Sequence, residues 1–69
     1  MNEGTFLIEM GNKIKKARKA AKVSFPMLSK ATGMNVSSLW FVENGLRNAH
    51  ILTLKSIADC LGKDVKDFL

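Results

Sequence analysis

The chain has 69 residues, of which 46% are hydrophobic and 25% charged, and this composition indicates one small globular domain and excludes intrinsic disorder. Its 11 Lys and Arg residues against 6 Asp and Glu residues give a net charge of +5. No apolar run reaches the roughly 18 residues of a membrane span, and Glu3 and Glu9 stand where a secretion signal needs positive charge, so we expect a cytoplasmic protein and no membrane partner.

The positive charge is concentrated in the middle of the chain. Residues 10–55 contain nine Lys or Arg and a single acid, Glu43, for a net charge of +8, whereas residues 1–9 carry −2 and residues 56–69 carry −1. A basic middle suits a polyanionic partner, with nucleic acid first and an anionic membrane surface second, although a merely solvated surface can have the same composition.

The first predicted helix runs from about residue 6 to residue 21. One apolar stripe recurs along it at spacings of four, three and four residues: Met10, Ile14, Ala17 and Ala21. The basic residues outside this stripe form an exposed set: Lys15, Arg18, Lys19 and Lys22. This periodicity is typical of an amphipathic helix with one buried face.

A second helix is predicted from about residue 25 to residue 31. Ser24 stands at its N-cap, and Pro26 is acceptable in the first turn because its missing N–H would be unpaired there anyway. Thr32 and Gly33 end the helix, since glycine readily adopts the left-handed conformation found at helix termini.

Only about three residues separate the second helix from a third one, which is predicted over residues 36–43. Asn35 is its N-cap, and Asn44 and Gly45 stop it. After a loop, the stretch ILTLKSIADCL predicts a fourth helix that Gly62 terminates. Apolar residues repeat along this fourth helix: Ile51, Leu54, Ile57, Ala58 and Leu61.

Asp64 caps a short fifth helix, with Asp67 three residues later in the manner of a capping box. Val65, Phe68 and Leu69 are expected to fold back on the core. No strand-like alternation is present, so the predicted class is all-α. The sequence predicts a compact five-helix domain in which the second and third helices, joined by a tight glycine-bearing turn, form a helix-turn-helix.

Three stretches of the chain carry a family resemblance: Val23-Ser24-x-x-x-Leu28-Ser29-x-x-x-Gly33, then Asn35-Val36-Ser37-Ser38-Leu39-x-x-Val42-Glu43-Asn44-Gly45, then Leu54-x-x-Ile57-Ala58-x-x-Leu61-Gly62. With them, residues 10–69 resemble the DNA-binding domain of the lambdoid phage repressors and Cro. We therefore divide the chain into this domain and residues 1–9, an N-terminal extension that begins the first helix. The resemblance implies a homodimeric transcription regulator, more often a repressor, that binds double-stranded DNA with its third helix in the major groove.

In that family, residues at the start of the third helix read base edges. The resemblance therefore implies base reading by Val36, Ser37 and Phe41, and it places Asn35 and Ser38 close to the DNA backbone or the bases. The alternative is ordinary, since serines suit a first helical turn and Asn35 suits a cap whether or not DNA is bound.

The resemblance also implies residues that contact the DNA backbone. Arg47 and Asn48 lie where the family's loop approaches phosphates, and the N-terminus of the second helix at Ser24 can hold a phosphate through its N–H groups. Lys30 would add attraction, although a lysine-rich helix face is more often only solvated.

Arg18 and Glu43 match a pair that in this family ties the first helix to the end of the third. If the two residues meet, the single acid of the basic middle is neutralised within the domain. The alternative is that Arg18 belongs to the solvated basic face.

Aromatic and apolar residues mark where the chain departs from the family. Phe25 replaces a glutamine that contacts phosphate in relatives, and Met27 is apolar where a polar residue is common. With Leu39 and Val42 facing the core, Trp40 lies on the flank of the third helix and Phe41 on its reading face, unless helix rotation buries Trp40. Phe41 and Val36 can pack on a thymine methyl group.

The same residues support a rival hypothesis. An apolar patch on a small domain often marks a protein partner. One exposed patch would comprise Phe25, Met27, Val36, Trp40 and Phe41. The domain would then be a protein-interaction module, antitoxin-like or anti-repressor, whose partner contacts Trp40 and Phe41.

The remaining reactive side chains do not indicate an enzyme or a cofactor. Cys60 is alone and is expected to be a buried small side chain in a reducing compartment, with a reactive or metal-binding thiol as the alternative. His50 is also alone and suits a loop or helix start better than a metal site. No catalytic triad, phosphate-cradling glycine loop or metal-ligand series occurs, so we expect neither catalysis nor a bound cofactor.

Overall fold

The structure of the protein, a computed structural model, describes residues 2–69. Within that range the chain forms four α-helices and no strand: α1 (Glu3–Ala20), α2 (Phe25–Thr32), α3 (Val36–Glu43) and α4 (Ile51–Leu61). The all-α prediction is therefore confirmed. None of these helices is both long and apolar enough to cross a membrane.

The predicted fifth α-helix is instead a 3-10 helix of four residues, Val65–Phe68. The expected capping box does form, because the Asp64 side chain accepts from the Lys66 N–H and the Asp64 N–H donates to the Asp67 carboxylate at 3.0 Å. The backbone hydrogen bonds of this segment span three residues, as in a 3-10 helix: the Asp67 N–H donates to the Asp64 carbonyl oxygen at 2.9 Å and the Leu69 N–H to the Lys66 carbonyl oxygen at 3.2 Å.

Helix α1 begins three residues earlier than predicted and ends one residue earlier. Asn2 is its N-cap, and the Asn2 side chain accepts a 2.8 Å hydrogen bond from the N–H of Thr5. Glu3 in the first turn adds a negative charge at the positive end of the helix. At the other end Lys22 adopts a φ of 57°, so the chain leaves the helix and Ala21 is exposed rather than part of the buried stripe.

The turn between α2 and α3 is built from caps that the sequence predicts. The Ser24 hydroxyl accepts from the Met27 N–H at 3.3 Å, and the Asn35 side chain accepts from the Ser38 N–H at 2.8 Å. Gly33 has a φ of 76°, a left-handed conformation that costs other residues more. Three residues thus suffice to connect the two helices.

One apolar core is shared by all four α-helices and the 3-10 helix. Its buried members are Met10, Ile14, Ala17, Leu28, Leu39, Val42, Ala49, Leu54, Ile57, Ala58, Leu61 and Phe68. Val65 packs partly against this core, as expected. Leu69 does not, since it is 53% exposed, and Ile51 at the start of α4 is 51% exposed. These two exposed positions correct the predicted apolar contacts at the chain end and in the fourth helix.

Helices α1 and α3 approach each other so closely that a side chain would not fit between them. A Cβ atom at Gly11 would lie 2.5 Å from the backbone oxygen of Glu43 and 2.6 Å from that of Val42. Gly11 therefore allows the middle of α1 to rest on the last turn of α3. This crossing sets the position of α3 in the domain.

Candidate nucleic-acid interface

Helix α3 turns one face to the core and the other to solvent. Leu39 and Val42 are each 1% exposed, as predicted. On the opposite side Val36 and Trp40 are 43% and 47% exposed, and Ser37 is exposed as well. Two of the three side chains that the family resemblance assigns to base reading, Val36 and Ser37, thus lie on a free surface.

The two adjacent rings of α3 pack on each other outside the core. The ring centroids of Trp40 and Phe41 lie 5.4 Å apart, and the ring planes meet at 81°. Phe41 is half-buried by its neighbours, whereas Trp40 stays exposed, so burial of Trp40 in the core does not occur. The near-perpendicular arrangement is a favourable aromatic geometry and holds both rings in place.

A shallow cavity of about 280 Å³ lies on the outer face of α3, and we call it the α3 hollow. It is lined by Val36, Ser37, Trp40 and Phe41. Three of these four side chains are apolar, and only Ser37 offers a hydroxyl group. A ligand group that enters the α3 hollow is therefore recognised mainly by shape and apolar contact.

Arg47 is folded back over α3 rather than extended from its loop. Its Nη1 donates a 3.0 Å hydrogen bond to the Ser38 hydroxyl. Its guanidinium carbon lies 5.0 Å from the centroid of the Phe41 ring, which is a cation–π distance. The structure thereby places a fixed positive charge beside the α3 hollow.

The first turns of α2 and α3 carry no acidic residue. Ser24 and Asn35, the two caps, are both exposed and flank α2 and α3 at their N-terminal ends. Backbone N–H groups at such ends attract anions, because the helix dipole is positive there. The local electrostatics of both helix starts therefore suit a phosphate.

Lys30 and Asn48, the two other residues assigned to DNA-backbone contacts, are exposed but do not belong to α3. Lys30 is in the last turn of α2. Asn48 lies against the start of α1, where it lines a small cavity with Glu3, Phe6 and Leu7. The structure thus brings Arg47 and Ser38 together with the reading face, and it leaves Asn48 at the junction with α1.

Arg18 and Glu43 form a two-contact ion pair between α1 and the end of α3. Arg18 Nε lies 2.6 Å from Glu43 Oε2, and Nη2 donates to Oε1 at 3.1 Å. Arg18 Nη1 also donates to the carbonyl oxygen of Val23 at 3.0 Å. Glu43 is 3% exposed, so the single acid of the basic middle has no free charge to repel an anion.

Phe25 belongs to this buried pair and not to the exposed apolar patch. The guanidinium carbon of Arg18 lies 4.2 Å from the centroid of the Phe25 ring, and the ring packs partly against the core. Met27, at 56% exposed, does face solvent. The predicted five-residue patch is therefore incomplete, because the cation–π contact with Arg18 and the core draw Phe25 inward.

Sequence reasoning missed the role of Gly11, although a signal for it was present. A glycine inside a helical pattern lowers helix stability by about 1 kcal/mol relative to alanine, so it usually has a packing reason. Here the reason is the backbone contact with Val42 and Glu43. The stacking of Arg47 on Phe41 was also missed, and no local pattern indicates it, since the two residues lie on different elements.

Two isolated side chains take structural positions. His50 is the N-cap of α4, and its Nδ1 accepts a 3.2 Å hydrogen bond from the N–H of Leu52. Cys60 is a free thiol, half-buried against the core rather than fully buried. Residues 2–69 contain no group of three or more potential metal-ligating side chains.

Other proteins of known structure have a fold similar to that of this chain. No protein-family model and no curated protein sequence matches the chain. Solved structures do match it, and two of them are described here. The restriction-modification controller protein C.AhdI from Aeromonas hydrophila is 24% identical with a TM-score of 0.86, over 91% of this chain and 96% of that one. An HTH_3 family transcriptional regulator from Vibrio cholerae is 27% identical with a TM-score of 0.87, over 97% of this chain.

The second match covers only 38% of the Vibrio cholerae chain, so the present chain spans well under half of that protein. Both matches nevertheless extend over nearly all of α1 to the 3-10 helix. The chain shares the helix-turn-helix fold of these two proteins, in agreement with its resemblance to the phage repressors and Cro.

Proposed function

We propose that the protein is a sequence-specific transcription regulator that binds double-stranded DNA as a homodimer and acts as a cytoplasmic repressor. The observation that carries this proposal is the outer face of α3, which is exposed and free of acids. The acid closest to it in sequence, Glu43, is 3% exposed and paired with Arg18. A polyanion can therefore approach α3 without meeting an uncompensated carboxylate.

Helix α3 suits the DNA major groove in size. An α-helix with its side chains is about 10–12 Å in diameter. The groove is about 12 Å wide and admits one helix. In this pose Val36, Ser37 and Phe41 read base edges.

The residues around α3 then contact the sugar-phosphate backbone. The proposed backbone contacts are Ser24, Lys30, Asn35, Ser38, Arg47 and Asn48. Such contacts fix the position of a protein on the duplex but carry little base information. The caps supply backbone N–H groups, and Arg47 and Lys30 supply positive charge.

The small number of base contacts that one reading face can make supports a homodimer. A single module makes few base contacts, and two copies on half-sites about 34 Å apart double them. The domain measures 31 × 22 × 21 Å, so copies one helical turn apart on DNA are close enough to touch. Exposed Leu46, Ile51 and Leu52, in the loop after α3 and at the start of α4, offer apolar surface for that contact.

A second function is favoured by one observation, the exposure of Met27 and Trp40 at 56% and 47%. Apolar side chains at these levels on a small domain suit a protein surface. The domain would then be an antitoxin-like or anti-repressor module. The positive charge of Arg47 against α3 favours DNA over this alternative, since an apolar protein partner gains nothing from that charge.

Selection from a random duplex library at two salt concentrations tests the proposal. A regulator enriches a palindrome, and its affinity falls steeply with salt because each neutralised phosphate releases counterions. Ser37→Glu places a carboxylate on the reading face and should abolish enrichment. Asn12→Glu makes the same charge change on an exposed part of α1 and is the matched control. Absence of any enriched sequence at either salt concentration would favour the protein-interaction module.

A further inference from the structure

The α3 hollow has a chemistry that is unusual for a surface facing base edges. Most groups that base pairs present in the major groove are hydrogen-bond donors or acceptors. Three of the four residues that line the α3 hollow are apolar: Val36, Trp40 and Phe41. The one apolar group on a base edge in that groove is the 5-methyl group of a pyrimidine.

The walls of the α3 hollow meet at a steep angle. Trp40 and Phe41 meet at 81°, so their ring planes form two sides of a corner. Val36 lies one helical turn before Trp40, and residues four apart on a helix are neighbours on its surface. Two aromatic rings at this angle, with Val36 beside them, can contact a small apolar group from several directions.

Arg47 indicates which kind of partner brings that group. Its guanidinium group lies over the Phe41 ring and donates a hydrogen bond to the Ser38 hydroxyl. A positive charge therefore lies at the edge of the α3 hollow. The first turn of α3 contains no acid. This charge complements a phosphate backbone, and the backbone would carry its base edge into the α3 hollow. An uncharged apolar segment of a protein would make no favourable electrostatic interaction with Arg47.

We propose that the α3 hollow is a pocket for the 5-methyl group of a pyrimidine, so that the protein discriminates DNA by pyrimidine methylation. Thymine and 5-methylcytosine carry this group at the same ring position. Discrimination therefore extends from thymine against uracil to 5-methylcytosine against cytosine. This inference rests on the proposed DNA-binding function and names the chemical group that the reading face recognises.

The test uses the duplex selected from the random library. Each thymine is replaced singly by deoxyuridine, which removes only the methyl group, and each cytosine is replaced singly by 5-methylcytosine. In each half-site, one replacement should change the dissociation constant roughly four- to tenfold, the effect of burying one methyl group against apolar side chains. A loss with deoxyuridine identifies thymine as the source of the methyl group, and a gain with 5-methylcytosine identifies methylated cytosine.

Two variants connect the methyl effect to the α3 hollow. Val36→Ala and Phe41→Ala should each reduce the ratio between methylated and unmethylated duplexes towards one, whereas Lys66→Ala in the 3-10 helix should leave it unchanged. Thermal unfolding checks that each variant is folded. If the selected duplex binds but no replacement alters its affinity, the methyl pocket is wrong while the regulator proposal stands. If no duplex binds, the proposed function itself has failed.

Discussion

Arg18 and Glu43 join the last turn of α1 to the last residue of α3 through contacts of 2.6 Å and 3.1 Å. Both side chains are largely removed from water, at 12% and 2% exposure. Because the pair is nearly buried, its main effect is to fix the orientation of α3 while keeping the carboxylate away from any approaching anion.

Removing one partner of this pair should destabilise the domain strongly. Arg18→Met leaves the Glu43 carboxylate buried without its counterion, and such a loss costs about 3–5 kcal/mol. The free energy of unfolding in urea measures it. The control is Lys55→Met, which breaks the Lys55–Asp59 pair whose side chains are 64% and 63% exposed. That change should cost well under about 1 kcal/mol. Similar losses in the two variants would show that burial of the first pair does not matter.

Gly11→Ala should destabilise the domain although alanine favours helices. The new Cβ would stand 2.5 Å from the backbone oxygen of Glu43, so α1 and α3 must separate, at a cost of about 1–3 kcal/mol. Gly4→Ala in the same helix is the matched control, because its Cβ would meet only the Asn2 side-chain oxygen at 3.4 Å. Chemical denaturation should show Gly4→Ala to be neutral or stabilising. Equal stability of the two variants would contradict the close crossing.

Arg47→Ala and Phe41→Ala should affect DNA binding in different ways. Loss of Arg47 should weaken binding to all duplexes alike and lower the salt slope by about one unit, since one phosphate contact is lost. Loss of Phe41 should mainly relax base preference. Affinities for the selected duplex and for a scrambled one, measured at several salt concentrations, separate these effects. Equal changes in both properties for both variants would contradict the assigned roles.

The contact between Arg47 and Phe41 determines how the effects of the two substitutions should combine. The guanidinium lies 5.0 Å from the ring centroid, so the two substitutions act on neighbouring groups and should not be additive. The double variant should therefore lose less affinity than the two single variants together. Additive losses would indicate that the stacked arrangement does not persist on DNA.

Trp40→Ala separates the DNA-binding function from the protein-interaction alternative. For a DNA regulator, the variant should still bind the selected duplex, with a changed preference at one position of each half-site. For a protein-interaction module, the variant should lose its self-association or partner complex, while the unchanged protein already has negligible affinity for DNA. Sedimentation of the protein alone and duplex titration, run on both forms, distinguish the two results.

The fold was predictable where the signals are local. Ser24, Gly33 and Asn35 act through hydrogen bonds or backbone angles within a few residues, and the spacing of Met10 and Ile14 marks one helix face. The start of α1 at Glu3 was missed because its cap, Asn2, precedes any apolar period. The terminal 3-10 helix was mistaken for an α-helix because both begin with the same capping box.

The site was less predictable, since its decisive contacts join distant parts of the chain. The sequence predicts that Phe25 is exposed and differs from the family residue at this position. In the structure its ring lies beneath the guanidinium group of Arg18, which is on another helix. The sequence predicts that Arg47 is a positively charged loop residue, but its guanidinium group packs over the Phe41 ring of α3. The spacing of residues along one element predicts which face they share, but it carries no information about which side chain from elsewhere covers them.

Trp40 gives the domain a built-in optical reporter. It is the single tryptophan of the chain, it is 47% exposed, and it forms one wall of the α3 hollow. Its indole emission in the free protein therefore comes from a partly hydrated ring. Any molecule that covers the outer face of α3 should shift that emission to shorter wavelength, so occupancy of this surface can be followed in solution without a label.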